Sequence, residues 1–155
     1  MKDLNALSQV AEFHTTFKHP ILEQPAIPSP ERCQLRIDLI AEELDELREA
    51  VAQKDMVGIA DALCDIQYVL AGAVHEFGLS NHFKILFDEV HRSNMSKACK
   101  TAEEAEETIA HYKRKDNVDA YYKEIDGLFL VYRSNDHKTL KSVAYSAADL
   151  ESILK

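Results

Sequence analysis

Cysteine is scarce in this chain. The three present, Cys33, Cys64 and Cys99, are odd in number and far apart, so they form neither a CxxC redox pair nor a cluster with zinc-ligand spacing. Reduced thiols in a cytoplasmic protein are the expectation. Met1 to Val10 lacks a basic start followed by an apolar run, and no uninterrupted apolar run approaches the roughly 18 residues of a membrane span. A soluble, unexported protein with no membrane partner follows as a second expectation. Positive charge is also in short supply: 18 Lys and Arg stand against 27 Asp and Glu, for a formal charge of -9. Binding to a nucleic-acid backbone relies on Lys and Arg displacing condensed counterions, which argues against large nucleic acids as partners. An acidic protein that handles a phosphorylated small molecule must reverse its field locally, with a divalent cation or a few placed basic side chains. There is no internal repeat and no low-complexity tract.

What is present suits one compact domain over residues 1–155, since 46% of the chain is apolar. The fold class read from the pattern is mainly α, an antiparallel helical bundle with a four-helix-bundle type core over about 1–114 and a small C-terminal β-hairpin and tail over about 118–155. Leu4, Leu7, Val10, Ala11, Phe13 and Phe17 have helical spacing, and His19-Pro20 stops that first helix at Lys18. Pro20, Pro25, Pro28 and Pro30 make an extended linker. Ser29 as cap and Pro30 in the first turn then open a long second helix running to about Gln53. Lys54-Asp55 is a short joint, with Asp55 a cap for a third helix from Met56 to Phe77 that Gly78 closes. The tight joint predicts antiparallel packing of the second and third helices. Ser80 to Arg92 reads as a fourth helix, and Thr101 with Glu104 makes a capping-box pattern before a fifth, Ala102 to about Lys113. Tyr121–Ile125 and Leu128–Tyr132 are β-prone and flank Asp126-Gly127, a strong hairpin signal. A further short strand is expected at Thr139–Val143, after a turn at Asn135-Asp136.

Chemistry concentrates in the second and third helices. Leu35, Leu39, Glu42 and Glu46 share one helical stripe with Glu43 beside it, so carboxylates continue an apolar ridge. A Glu-rich helix often shows water nothing more than a charged face, and the third helix decides between the two readings. Between Gly58 and Val74 its only charged residues are Asp61 and Asp65, at i and i+4 on one face with Tyr68 and Gly72. The segment is apolar nearly all round, which predicts burial. Two carboxylates about 4 Å apart repel by roughly 1 kcal/mol in water and about 4 kcal/mol at an effective dielectric near 20. Five such groups need an offset, and an oxygen-only set without histidine or cysteine is what Mg²⁺ or Mn²⁺ selects.

The residues Glu42-Glu43-x-x-Glu46, followed on the next helix by Asp61-Ala62-Leu63-Cys64-Asp65-Ile66-Gln67-Tyr68-Val69, resemble the paired acidic motifs of MazG-like all-α nucleoside triphosphate pyrophosphohydrolases. Phe13-His14 and the string Val90-His91-Arg92-Ser93-Asn94-Met95-Ser96-Lys97 resemble the branch related to phosphoribosyl-ATP pyrophosphohydrolase. Leu140-Lys141-Ser142 with Tyr145-Ser146-x-x-Asp149-Leu150 resembles the tail of that branch. One departure stands out: the usual second motif is Glu-x-x-Asp, and here Ala62 occupies the glutamate position. Asp61, about 100° round the helix, has to stand in.

The resemblance implies hydrolysis between the α and β phosphates with Mg²⁺, Mn²⁺ being a substitute. It implies Glu43, Glu46, Asp61 and Asp65 as metal ligands and Glu42 as the base. Asn94, Lys97, His14, Arg36, Lys141 and Tyr145 become the substrate-binding candidates, although an isolated histidine is more often structural and Arg36 has acids nearby to pair with. A homodimer or homotetramer is implied as well. Three other readings remain open on sequence: true phosphoribosyl-ATP hydrolysis, a non-catalytic helical dimer binding metal or nucleotide, and a ferritin-like di-iron protein. The last lacks its Glu-x-x-His pair.

Overall fold

The computed structural model describes residues 5–155, which are mainly helical with one two-stranded antiparallel sheet. Leu4, expected in the first helix, lies outside the described residues. Contacts divide the chain into two compact units, Met1–Lys84 and Ile85–Lys155. This partition differs from the expected helical core and hairpin, because the fifth helix packs with the hairpin.

The first unit holds α1 (Ala6–Phe17), α2 (Pro30–Gln53) and α3 (Met56–Glu76). Lys18 adopts the left-handed conformation and its amide returns to the His14 carbonyl, ending α1 where His19-Pro20 was expected to. Ser29 Oγ accepts the Arg32 amide at 3.4 Å and Pro30 occupies the first turn of α2. Asp55 Oδ1 accepts the Val57 amide at 3.0 Å to open α3. At the other end of α3, Gly78 has φ +67, and a Cβ there would lie 1.9 Å from the Gln24 carbonyl oxygen. Only glycine both turns the chain and lets the proline-rich linker pass. The linker is tied down on α3 by Leu22 N–H to His75 O at 3.0 Å and Ala26 N–H to Phe77 O at 3.1 Å.

The helices α2 and α3 are antiparallel. A Cβ on Gly58 would meet the Ala50 methyl at 3.2 Å, while Arg36 reaches Gly72 and Glu76 at the far end. Their interface is built on small or slender residues, with Ala50, Ala62, Ala71, Ala73 and Val74 buried. α1 packs on α3 through Val10 and through His75, whose Nε2–H donates to the Leu7 carbonyl at 2.8 Å while its Nδ1 accepts from Ser80 Oγ at 2.6 Å.

The expectation that α3 is buried holds for Ala62 and for its C-terminal end, Ala71 to Glu76. Met56, Val57, Leu63, Tyr68 and Leu70 are exposed in the single chain. By length and composition alone α3 is apolar enough to cross a membrane, at a mean hydropathy of 1.5, although Asp61 and Asp65 interrupt it.

The second unit contains most of α4 (Phe83–Met95), then α5 (Ala102–Asp116), β1 (Ala120–Ile125) and β2 (Leu128–Arg133), and ends in a short helix α6 (Glu151–Leu154). Thr101 Oγ1 accepts the Glu104 amide at 3.2 Å, and Glu104 Oε2 reaches back to the Lys100 amide at 3.0 Å, one residue before the usual capping-box partner. The hairpin pairs Ile125 with Leu128 around Asp126 and Gly127, both at positive φ, the conformation of a type I′ turn. Cys99, Ala105, Val131 and Leu140 form its core, with Tyr112, Tyr122 and Phe129 packed around them. The strand expected at Thr139–Val143 is reduced to an isolated bridge, Tyr132 to Thr139, followed by a Leu140 amide bond to the Val131 carbonyl. The next amides turn elsewhere: Lys141 N–H goes to the Tyr112 hydroxyl at 3.2 Å and Ser142 N–H to the Lys97 carbonyl at 3.2 Å. Side-chain and loop partners thus compete successfully with the ladder. All three cysteines are free thiols.

Candidate active site

The antiparallel pairing brings the middle of α2 to the N-terminal half of α3, and the five acids of the sequence pattern meet there. Glu43 is half-buried, and its carboxyl is held above the usual range of about 4.5, first by burial and then by the negative charges of Asp65, Glu46, Glu42 and Asp61, in that order. A single carboxylate thus feels all four others. Asp65 is half-buried; Glu42, Glu46 and Asp61 are exposed. This corrects the premise that both aspartates are buried: Asp65 is half-buried and Asp61 is exposed. Ala62, at the position where the family motif places glutamate, is only 2% exposed and faces the helix pair. Asp61 approaches the cluster from the rim and is the last of the four groups acting on Glu43.

Among the described residues no three His, Cys, Asp or Glu side chains stand at the spacing of a closed metal cage. The acids are neighbours across a helix pair. Their chemistry nevertheless fits a hard divalent cation: the donors are carboxylate oxygens from two helices, and a cation would relieve the repulsion that raises Glu43.

One helical turn further along both helices lies a pocket of about 380 Å³, lined by Phe13, His19, Leu35, Leu39, Tyr68 and Val69. Leu39 precedes Glu43 by four residues and Tyr68 follows Asp65 by three, so pocket and acids are contiguous. The Phe13 and His19 rings stack at 5.7 Å with an interplanar angle of 16°, and Tyr68 meets Phe13 edge-on at 5.6 Å. Flat aromatic faces above an apolar floor suit a planar heterocycle.

His14 and Arg36 are both buried beside this pocket. His14 Nδ1 faces the Pro20 carbonyl at 2.9 Å, so that nitrogen carries the proton. Burial lowers its pKa, against the raising effect of that hydrogen bond, which keeps the ring neutral near pH 7. Arg36 pairs with Glu76, which also receives Arg32 Nε at 3.0 Å. Glu76 is 1% exposed. Burial pushes its carboxyl up, but hydrogen bonds from Arg32 and Arg36 outweigh that and hold it below the ordinary range. Sequence reasoning missed Glu76 and Arg32, which are 44 residues apart; the available signal was a carboxylate ending the apolar stretch that follows Asp65.

Gly72 lets this layer close. A Cβ on it would sit 2.8 Å from Arg36 Nη1 and 3.1 Å from His14 Nε2. Gly72→Ala is expected to cost about 1–3 kcal/mol of stability, the usual cost of overpacking, and to weaken binding of any ligand in the pocket. Urea denaturation of the variant in chelator checks the first effect; an unchanged midpoint would show that Arg36 moves aside freely.

The remaining substrate-binding candidates lie in the second unit and form one cluster. Lys97 Nζ donates to Asn94 Oδ1 at 2.7 Å. Tyr145 OH is 2.9 Å from Ser93 Oγ, and Lys141 Nζ lies 4.2 Å above the Tyr145 ring. The phenol is held below its ordinary range by the Ser93 hydrogen bond and then by the charges of Lys141 and Lys97. His91 is exposed.

An uncharacterized protein of Acanthamoeba polyphaga mimivirus is 24% identical, with 94% of each chain covered. Its name carries no activity. The family model described as phosphoribosyl-ATP pyrophosphohydrolase matches residues 10–94, a span that contains the aromatic pocket, all five acids and the Ser93-Asn94 end of α4. The chain therefore belongs to the phosphoribosyl-ATP pyrophosphohydrolase family, within the MazG-like all-α superfamily, and is a pyrophosphohydrolase of nucleotide-like substrates.

Proposed function

We propose that the protein hydrolyses a nucleoside triphosphate to the monophosphate and pyrophosphate in a Mg²⁺-dependent reaction, in the cytoplasm, as a means of controlling or cleaning the nucleotide pool. The observation that carries this reading is the contiguity of an aromatic slot with a carboxylate cluster whose mutual repulsion shows in Glu43. A nucleoside in the slot extends its phosphate chain along the groove between α2 and α3 toward the acids.

Glu43, Glu46 and Asp65, with Asp61 from the rim, are the residues that would hold the cation, Mn²⁺ serving as substitute. The cation supplies charge neutralisation for the phosphate chain and acidifies water near it. Glu42, exposed on α2 beside Glu43, would accept the proton of the attacking water. Phe13, His19 and Tyr68 orient the base, and Leu35 and Leu39 exclude water from its edge.

A homodimer or homotetramer is part of the proposal. The α2–α3 hairpin is half of a four-helix bundle, and Ile37, Leu44, Val51, Met56, Val57 and Leu63 leave its apolar surface exposed. The family description favours one second reading, phosphoribosyl-ATP as the substrate. A panel of nucleoside triphosphates together with phosphoribosyl-ATP, each assayed with Mg²⁺ and with chelator, tests both. Metal-dependent turnover of a triphosphate with little turnover of phosphoribosyl-ATP is the expected result. No turnover of any compound with Mg²⁺ or Mn²⁺ would leave the non-catalytic binding role instead.

A further inference from the structure

The buried layer beside the aromatic pocket carries more positive charge than negative before His14 is counted. Arg32 and Arg36 from α2 both bond to the single carboxylate of Glu76 from α3. His14 enters the same layer from the C-terminal turn of α1 and is 2% exposed. Its ring lies 5.6 Å from that of His75 on α3 and 5.4 Å from that of His19 in the linker. Glu76 is the carboxylate that acts on it, while Glu12 on α1 and Glu23 in the linker are exposed.

With Nδ1–H donating to the Pro20 carbonyl at 2.9 Å, the neutral ring turns an unprotonated Nε2 toward the α3 backbone. A Cβ on Gly72 would lie 3.1 Å from that nitrogen and 2.8 Å from Arg36 Nη1, so imidazole and guanidinium flank one point. A proton on Nε2 puts a third cation beside Arg32 and Arg36, where little water is available to solvate it. Burial opposes that proton most. The Pro20 bond and Glu76 favour it, but Arg36 and His75 add to the opposition, and the His14 pKa is lowered. The ring is also a mechanical link. His14 holds the start of the linker twice, through Nδ1 to Pro20 and through its carbonyl, which accepts the His19 amide at 2.8 Å. A ring that leaves the layer therefore draws His19 with it, and His19 is a wall of the pocket through its stack on Phe13. The rest of α1 stays pinned by Val10 and by the His75 bond to the Leu7 carbonyl.

We propose that His14 is a proton-operated latch: a proton on Nε2 expels the ring from the layer of Arg32, Arg36 and Glu76 and opens the pocket at its His19 wall. In neutral solution the pocket is closed and preorganised; in mild acid it gives up a planar occupant. The device acts on the shape of the pocket, so it does not depend on which ligand or reaction the pocket serves. Its sign follows from linkage. The closed state excludes a proton that the open state accepts, so closure is favoured above the ordinary histidine value of about 6.5 and is lost as pH falls from there through the lowered one. The Glu43 contribution to stability has the opposite sign, so the latch shows in local opening and not in a global melting curve.

Imidazole NMR and amide hydrogen exchange, both on the full chain in chelator, test the latch. His14 is expected as the Nδ1–H tautomer in neutral solution, with a midpoint below about 6.5. The His19 and Leu22 amides bond to the His14 and His75 carbonyls. Their protection, corrected for the intrinsic rate of exchange, is expected to fall roughly fivefold or more between about pH 7.5 and about pH 5, with the same midpoint as His14. The Leu140 amide, bonded to the Val131 carbonyl in the second unit, is expected to keep its protection. His14→Asn retains a donor for Pro20 and removes the titrating ring, so its His19 and Leu22 amides should vary by less than about twofold over the same range. The match of midpoints in wild type stands as a test even where the variant is unstable. A His14 midpoint at or above about 6.5, opening that follows His19 or His75 instead, or acid opening of equal size in His14→Asn overturns the proposal.

Discussion

Asp65→Asn is expected to abolish turnover, a loss of at least about 10³-fold, while leaving the chain in chelator as stable as wild type or more so. A bound divalent cation stabilises transferring phosphoryl charge by several kcal/mol, and each 1.36 kcal/mol is about tenfold in rate. Without the cation the same carboxylate is a liability, since Asp65 heads the charges that hold Glu43 above its ordinary range. Neutralising it relieves Glu43. The sign of the pH effect follows. A carboxyl raised in the folded state binds more protons there than in the unfolded chain, so stability falls as pH rises from the ordinary glutamate value through the raised one. Metal-free wild type should lose stability across that window, and Asp65→Asn and Glu43→Gln should both flatten the loss. Melting curves in chelator from pH 4 to 8, paired with rates in Mg²⁺, measure both sides. A variant that is unstable in chelator yet active would reverse the assignment.

The largest effect on stability is expected from Glu76→Ala. It strands Arg36, which is 7% exposed and whose Nε already has no hydrogen-bond partner. Removing one member of a buried ion pair costs about 3–5 kcal/mol, a large share of the roughly 5–15 kcal/mol that holds a domain together. Arg32→Ala should cost less, because the Arg32 side chain is 31% exposed and water replaces part of what it loses. Glu76→Gln keeps the shape and isolates the charge. Since the Glu76 carboxyl is held below its ordinary range, its contribution is present above the ordinary glutamate value and fades as pH falls through the lowered one. Urea denaturation at pH 7 gives the ranking directly. Equal, small losses for Glu76→Ala and Arg32→Ala would mean that water reaches Arg36 and that the triad is peripheral.

The parts of this molecule that were legible in the sequence are those governed by local rules. Ser29-Pro30, Asp55, Thr101 and Asp126-Gly127 each act within a few residues, and each starts or turns an element as expected. The acid cluster was legible because i, i+4 spacing fixes a helical face and a two-residue joint fixes antiparallel packing. Burial was not. Apolar composition does not record which faces of a helix are covered, so Leu63, Tyr68 and Leu70 read as buried although they are exposed. Pairs distant in sequence, such as Arg32 with Glu76 and Thr108 with Val143, leave no local trace. The short strand at Thr139–Val143 failed for a related reason: the Tyr112 hydroxyl took the amide of Lys141.

Cleavage position is the most direct test of the account, because ordinary Mg²⁺-dependent phosphatases share everything except the bond they cut. In the proposed reading a nucleoside seated in the aromatic pocket would bring the first phosphates of its chain to the acids one helical turn away. Chromatography of early time points, with a nucleoside triphosphate, Mg²⁺ and no added pyrophosphatase, resolves the products. Equal amounts of nucleoside monophosphate and pyrophosphate, with no diphosphate at any time and free phosphate only after inorganic pyrophosphatase is added, is the predicted result. Accumulation of nucleoside diphosphate with orthophosphate would place the cut between the β and γ phosphates and contradict the proposed reaction.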